Sequence, residues 1–473
     1  MDTFRVAIVG AGFGGIGLSI LLKRLGISHV LLDKGPGIGG TWRDNTYPGA
    51  ACDVPSPLYS FSFERRTDWS RRFAGQAEIL EYLRGCVERN GLEPRLDTEV
   101  RAAAFEDGRW RLETSGGPVV ADVLVAACGQ LNRPAIPRLP GLESFAGTMF
   151  HSARWDHGHD LAGRKVAVVG TGASAIQFVP RVAARAARLD VYQRSAAWLV
   201  PKPDRRHGRL SLRLRSAFPL LQDLDRLVTY LLLESRALGF VRYPALLKTM
   251  EYAYRRRLRR EVADPELRRK LLPDHPLGCK RALLSDDYLP ALQRPNVDLV
   301  TDPIAEVRHD GVVTADGTFR EADTLILGTG FRASEFLAPM RVTGRDGLTL
   351  DKAWADGAEA HLGMTVHGFP NMYVLYGPNT NLGHNSIVYM LESQFRYILG
   401  CLQTGGVLEV KKETQNAFNK DLQERMRRTV WNAGCDSWYQ TEDGKQVTNW
   451  PGFTFAYRRA TRRPDLRDFT VEP

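Results

Sequence analysis

The sequence predicts an α/β protein made of two Rossmann-like dinucleotide-binding domains, the second inserted in the first, with a helical insertion. Three observations carry this. Phe4–Val9 reads as a buried strand, followed by Gly10-Ala11-Gly12-Phe13-Gly14-Gly15 and an apolar helical run to Leu25, which is GxGxxG in its required setting. The plan recurs where Lys165–Val169 leads into Gly170-Thr171-Gly172-Ala173-Ser174-Ala175, the GxGxxA variant. The two halves also close alike, Ala121–Gly129 (ADVLVAACG) matching Ala322–Gly330 (ADTLILGTG). The expected division is therefore 1–150 with 331–473, 151–203 with 278–330, and a helical excursion at 204–277.

Within each turn the glycines have separate tasks. Gly10 permits the tight turn, Gly12 lets a pyrophosphate approach the backbone, and Gly15 lets helix and strand pack closely. The helix start then faces the phosphates with unpaired N–H groups. His29–Leu32 ends in Asp33, 23 residues after Gly10, placed for a ribose hydroxyl pair. In the second unit Thr171, Ala173 and Ser174 stand between Gly170, Gly172 and Ala175. There the positions 23 and 24 residues after Gly170 are Gln193 and Arg194, followed by Ser195. An acid would repel a 2′-phosphate, whereas Arg194 attracts one and Ser195 adds a hydroxyl donor. A phosphorylated nicotinamide nucleotide, NADPH, is expected there.

The formal charge of +10 is concentrated. Between Arg205 and Lys270 there are 17 Lys and Arg against 7 Asp and Glu, a surplus equal to that of the whole chain. Such a stretch can meet nucleic acid or an acidic membrane surface. The favoured reading is a set of solvated helix faces, because the basic residues punctuate runs such as Leu210-Ser211-Leu212-Arg213-Leu214. Leu227–Val241 is too short and too charged to span a bilayer. Six scattered cysteines lack CxxC or metal-ligand spacing, so a reduced, cytoplasmic protein without a metal is expected. Because the first strand starts so early, no signal peptide is expected.

Helical patterning fills Pro203–Pro276, in runs around Leu220–Leu232, Tyr243–Leu258 and Pro265–Leu272. Phe369–Gly377 reads as a strand closing the first domain, and Pro378–Ser386 opens a helix to about Leu399. His384 in that turn is expected to be a local hydrogen-bonder rather than a ligand contact.

Two further stretches identify a family. Phe145-Ala146-Gly147-Thr148-Met149-Phe150-His151-Ser152-Ala153-Arg154-Trp155-Asp156 has the form FxGxxxHxxxW[P/D], and Gly39-Gly40-Thr41-Trp42 is followed by Tyr47-Pro48-Gly49 and then Asp53. From Val6 to about Phe453 the chain resembles the type I Baeyer–Villiger monooxygenases. That resemblance implies FAD at the first turn, contacted by Gly40, Thr41, Trp42, Asp53, Val54 and Tyr59, and NADPH at the second. It implies oxidation of a ketone with O₂ to an ester or lactone through a C4a-peroxyflavin. Carried over residue by residue, Arg281 becomes the catalytic arginine, Asp53 its partner, Lys280 a second contact to the 2′-phosphate, and Trp438 a cover for the nicotinamide nucleotide.

On residues alone, Arg281 in its Gly-x-Lys-Arg turn reads as a surface arginine. The Phe145–Asp156 stretch is expected to be a hinge between domains, with His151 and Trp155 coupling their positions. Two departures from the family are the length, shorter than many members, and the late Trp450-Pro451-Gly452-Phe453 run. The rival readings are an N- or S-oxygenating flavin-containing monooxygenase, which normally lacks the terminal Trp155-Asp156 pair; a flavin disulfide reductase, which needs a close cysteine pair; and a non-catalytic basic module.

Overall fold

The computed structural model describes residues 2–435, 437–441 and 443–473. Two sheets organise it. The first runs Arg341–Thr343, Val100–Glu106, Arg109–Thr114, Val119–Ala126, Asp2–Val9, His29–Leu32, with Met372–Val374 also paired to Val119–Ala126. Asp2–Val9 lies between two parallel neighbours, and Val6, Ala7 and Ile8 are completely buried, as expected for a strand covered on both faces. The second sheet is parallel throughout and runs Val297–Val300, Arg188–Tyr192, Lys165–Val169, Thr324–Leu327, Thr148–His151.

The duplication extends to atomic contacts. Gly10 (φ +110) and Gly170 (φ +107) both hold the left-handed conformation that glycine tolerates. A Cβ on Gly10 would stand 2.5 Å from the Ala127 carbonyl oxygen, and one on Gly170 would stand 2.5 Å from that of Gly328. Each turn is thus pressed against the closing strand of its own sheet, which is why the two closing sequences match. Gly15 is tighter still, its hypothetical Cβ falling 1.9 Å from the Gly10 oxygen.

The excursion is helical, over Arg209–Ala217, Leu220–Ala237, Leu247–Glu261 and Pro265–Lys270. Asp264 caps the last of these by accepting from the Glu266 and Leu267 N–H groups, with Pro265 at its first position. The orientation of the long helix departs from the expected solvated basic face. Leu220–Ala237 buries Gln222, Thr229 and Glu234 and turns most of its leucines outward. The inward polar groups are bonded: Gln222 donates to the Arg66 carbonyl, and Glu234 accepts from Asn385 and Thr454. These bonded polar groups share the inward side of the helix with buried Leu233 and Ala237.

Three other expectations change. The Phe145–Asp156 stretch is not a free hinge, because Thr148–His151 pairs with Thr324–Leu327 as an edge strand of the second sheet and Ser152–Arg154 forms a 3₁₀ turn. The closing strand of the first domain spans only Met372–Val374, since Tyr376 takes a left-handed φ of +56°. The cysteines are not all free: Cys279 and Cys435 form a disulfide, their Cα atoms 6.3 Å apart, across 156 residues of sequence that no spacing rule reads.

Gly15→Ala is expected to abolish recovery of folded, flavin-containing protein, measured as soluble yield and flavin-to-protein ratio. Gly172→Ala, whose Cβ meets nothing within 4 Å, is expected to retain the wild-type melting temperature.

Candidate active site

Both glycine turns open onto one cavity of about 1570 Å³, larger than the roughly 300–1,000 Å³ of a site for one drug-sized molecule. Its walls include Gly10, Gly12, Asp33, Gly40, Thr41, Trp42, Asp53, Val54 and Tyr59 on one side. On the other lie Gly170–Ser174, Arg194, Ser195, Lys280, Arg281 and Trp438. Of the residues expected to touch a cofactor, only Gly15 and Ala175 stay out of the lining; Gly15 serves helix–strand packing and Ala175 is fully buried in the core.

On the first side, Asp33 accepts from the Ala11 and Gly35 N–H groups, each at 2.8 Å, and from Arg43 at 2.7 Å. Gly40 packs against Gly12, with 3.3 Å between its hypothetical Cβ and the Gly12 Cα, so the GGTW run forms a second wall over the first turn. The Trp42 indole donates to the Tyr59 hydroxyl at 3.2 Å, edge-on. The Ile387–Thr404 helix, capped by Ser386, brings its N-terminus to the cavity through Asn385 and Ile387.

Gly12 and Gly172 provide a test of fit. Gly10, Gly15 and Gly170 are glycines because the polypeptide itself leaves no room for a Cβ. Gly12 and Gly172 meet no such obstacle; the nearest atom to a Cβ on Gly12 is 3.8 Å away, and Gly172 faces open space. The packed chain does not demand glycine at either place, whereas a phosphate approaching the backbone does. The residues present therefore fit one dinucleotide at each turn.

On the second side, Gln193 is buried, donating to the Lys270 carbonyl, while Arg194 is exposed at the cavity. Lys280 donates to the Ser195 hydroxyl at 3.1 Å. Arg194, Ser195 and Lys280 thus converge although Lys280 is 85 residues further on.

Between the two sides lies an ion pair. Arg281 donates to one oxygen of Asp53 through Nη2 at 2.6 Å and Nε at 3.1 Å. Burial alone would raise the Asp53 carboxyl, but the Arg281 guanidinium, helped by Lys202, outweighs it and holds the acid below the ordinary carboxylate range. Asp53 in turn raises the Arg281 guanidinium above its ordinary value. Buried Tyr439 lies within the same electrostatic field, its hydroxyl pushed up to about 12 by burial against the opposing pull of Arg281.

Other residues of this centre escape sequence reasoning. Tyr376, at its left-handed turn, bonds Asn381 at 2.6 Å, and Asn381 bonds Asn449 at 2.7 Å. Gln177, on the helix of the second turn, accepts from the Tyr47 hydroxyl at 3.0 Å and the Ala51 N–H at 3.3 Å, and donates to the Ala51 carbonyl. A Cβ on Gly49 would stand 2.7 Å from the Gln177 oxygen. The Tyr47-Pro48-Gly49 motif is therefore a clasp between the two nucleotide units, and it sets the approach of Asp53 to Arg281. The detectable signal was the motif itself; its partner was not detectable.

The Phe145–Asp156 residues stand behind this centre. Phe145 packs in the second sheet's core, and Gly147 is held glycine by the Asp323 carbonyl, 2.3 Å from its hypothetical Cβ. His151 is buried edge-on to Phe331, Trp155 packs on Phe150 and Phe178, and Asp156 accepts from the Gly158 N–H. His384 is fully buried without a hydrogen bond, faces Phe240 and Glu234, and does not line the cavity; burial pushes it down to about 3. It is not the local hydrogen-bonder expected. Neither half of the Cys279–Cys435 disulfide lines the cavity, although Lys280 next to Cys279 and Ser437 close to Cys435 do. The disulfide ties the Arg281 turn to the segment that carries Ser437 and Trp438 on the same side of the cavity.

Comparison with known proteins agrees with this geometry. The family described as pyridine nucleotide-disulphide oxidoreductase matches residues 7–218. A Baeyer-Villiger monooxygenase of Streptomyces coelicolor is 46% identical across 99% of this chain and 92% of its own length. The chain belongs to the Baeyer–Villiger monooxygenases. A second relative of that name, from Pseudomonas aeruginosa, is also 46% identical, over 98% of this chain and 90% of its own. Among solved structures, closed cyclohexanone monooxygenase superposes with a TM-score of 0.88 at 29% identity, covering 100% of this chain and 99% of that one. A steroid monooxygenase bound to NADP gives 0.88 at 28%, covering 99% of each chain. Family membership takes in the two nucleotide turns, the Asp53 and Arg281 segments and the Phe145–Asp156 stretch together.

Asp53→Asn is expected to lower stability at neutral pH, by about 1 kcal/mol, because it leaves a half-buried guanidinium without its counter-charge. A carboxyl depressed in the folded state contributes stability above its unfolded pKa and loses it as pH falls through the folded one. The melting-temperature gap between wild type and Asp53→Asn should therefore be full at pH 7 and close only at pH values below the ordinary carboxylate range.

Proposed function

We propose that this chain is an FAD- and NADPH-dependent monooxygenase that inserts one atom of O₂ beside a ketone carbonyl, giving an ester or lactone. FAD is held at the Gly10–Gly15 turn and NADPH at the Gly170–Ala175 turn. The observation that carries the reading is the Asp53–Arg281 pair at the junction of two dinucleotide sites in one cavity. The OTEMO enzyme, similar in structure with a TM-score of 0.89 at 26% identity, was solved as a complex with FAD and NADP.

Bound FAD and NADPH supply the hydride transfer and oxygen activation that amino-acid side chains lack. The chain's own residues supply placement and charge. Arg281 presents a guanidinium that cannot deprotonate, suited to holding an anionic oxygen and polarising a ketone carbonyl. Asp53 fixes that guanidinium and partly neutralises it, so the cation is aimed before substrate arrives. Burial raises the Tyr439 and Tyr376 hydroxyls, which stay protonated at neutral pH. Trp438 caps the nicotinamide side and limits entry of water. Arg194, Ser195 and Lys280 form the 2′-phosphate site that selects NADPH over NADH. The similarity to Baeyer-Villiger monooxygenases and cyclohexanone monooxygenase supports ketone oxygenation over N- or S-oxygenation.

The test is product identification with a ketone and a thioether under NADPH and air, in wild type and Arg281→Ala. The variant is expected to keep its flavin and reduce it at near wild-type rate while ester formation falls about 10²–10³-fold; ester formation at the wild-type rate contradicts the assignment. In Arg194→Ala, kcat/KM for NADPH is expected to fall about 10- to 100-fold, the loss of one charge-assisted contact, with that for NADH unchanged. Equal loss for both nucleotides would remove the 2′-phosphate role.

A further inference from the structure

The Leu220–Ala237 helix presents an apolar face that no part of the described chain covers. Leu220, Leu224, Leu227 and Leu231 form its centre, with Leu221, Val228 and Leu232 alongside. At 3.6 residues per turn these seven fall within roughly 140° of the helix circumference. The exposures are large, 77% for Leu220 and 56% for Leu224 and Leu231, while Gln222, Thr229, Leu233 and Ala237 on the opposite arc are at most 8% exposed. A leucine stripe turned outward, with Gln222 and Thr229 turned inward beside Leu233 and Ala237, departs from an ordinary surface helix. Contiguous apolar surface of this kind marks an interaction site.

The charges around it identify the occupant. The acidic side chains of this helix are engaged: Asp223 pairs with Arg65, Asp225 with Arg215, and Glu234 is buried. On the adjoining Arg209–Ala217 helix, exposed Leu210 and Leu214 share an arc with exposed Arg209 and Arg213. Beyond the other end, Arg242 and Tyr243 are both exposed, the guanidinium 6.0 Å over the ring, and Lys248 follows. Leucines fringed by arginine, lysine and an amphipathic tyrosine match the boundary between acyl chains and anionic headgroups. A second copy of this chain is a poorer fit, since a two-fold contact through this face sets one basic fringe against another. Among the described residues no helix is long and apolar enough to cross a membrane, so the geometry is that of a helix lying on one.

We propose that the outward face of Leu220–Ala237, with the Arg209–Ala217 helix, docks on an anionic lipid bilayer. The inner side of the same helix reaches the nucleotide-binding body: Arg226 donates to the Pro57 and Ser60 carbonyls, and Glu234 holds Asn385, which lines the cavity. The docked surface is thus one side-chain layer from the site, and the proposal does not depend on which reaction occurs there.

The experiment is flotation of the full-length, flavin-loaded protein with vesicles of phosphatidylcholine alone or with about a third phosphatidylglycerol. The bound fraction is expected to rise at least about tenfold with the anionic lipid. It should fall as salt rises toward about 1 M, where electrostatic reach shrinks from about 10 Å to about 3 Å. Leu224→Asp with Leu231→Asp should return binding to background, and Arg209→Gln with Arg213→Gln should weaken it. All four side chains are exposed, so flavin content, melting temperature and ketone turnover should stay at wild-type values. Absence of binding to anionic vesicles at low salt overturns the proposal, as does binding that the leucine variant retains. A wild-type dimer that this variant converts to monomer by sedimentation also overturns it, because the face then belongs to a second copy.

Discussion

The Asp53–Arg281 ion pair is the constraint on which the rest of the structure depends. Its members are 228 residues apart, one on a loop following the first nucleotide turn and the other on the return from the helical excursion. Each charge is half-buried at the cavity wall, and a partly desolvated ion is disfavoured without a partner. The two sheets must therefore be held at one separation. The Tyr47–Gln177–Ala51 clasp does this from the flavin side, and the Cys279–Cys435 disulfide anchors the turn next to Arg281 from the other.

What the sequence reveals about this arrangement follows from the range of each interaction. The glycine turns are legible because strand, turn and helix are contiguous, and because the Gly10–Ala127 and Gly170–Gly328 contacts leave a repeated closing sequence. The separate tasks of the glycines can even be divided by geometry, Gly10, Gly15 and Gly170 being required by the polypeptide and Gly12 and Gly172 left open to a ligand. Asp53 and Arg281 were legible only through the motifs that contain them; on residue type alone Arg281 reads as surface.

The less legible features are those decided by distant partners. Nothing near Cys279 announces Cys435. Nothing near Tyr47 announces Gln177. The Phe145–Asp156 stretch reads as a connector because it joins two domains, yet Thr148–His151 gains its hydrogen bonds from Thr324–Leu327, a strand far along the chain. The Leu220–Ala237 helix has amphipathic periodicity that predicts a helix but not which face turns in. Partners for Gln222 and Glu234 help decide that, and the outcome exposes leucine. Periodicity fixes an element's type; its rotation depends on which partners, polar and apolar, the distant chain supplies.

The central claim is that Asp53 and Arg281 act as one unit in the oxygenation of a ketone, an acid aiming a cation, and not as two independent contributors. A double-mutant cycle on ester formation, using Asp53→Asn and Arg281→Lys, measures this most directly, with flavin content confirmed in each variant. The account predicts a coupling of about 1–3 kcal/mol, the double variant being little worse than the worse single one. Effects that simply add would contradict it.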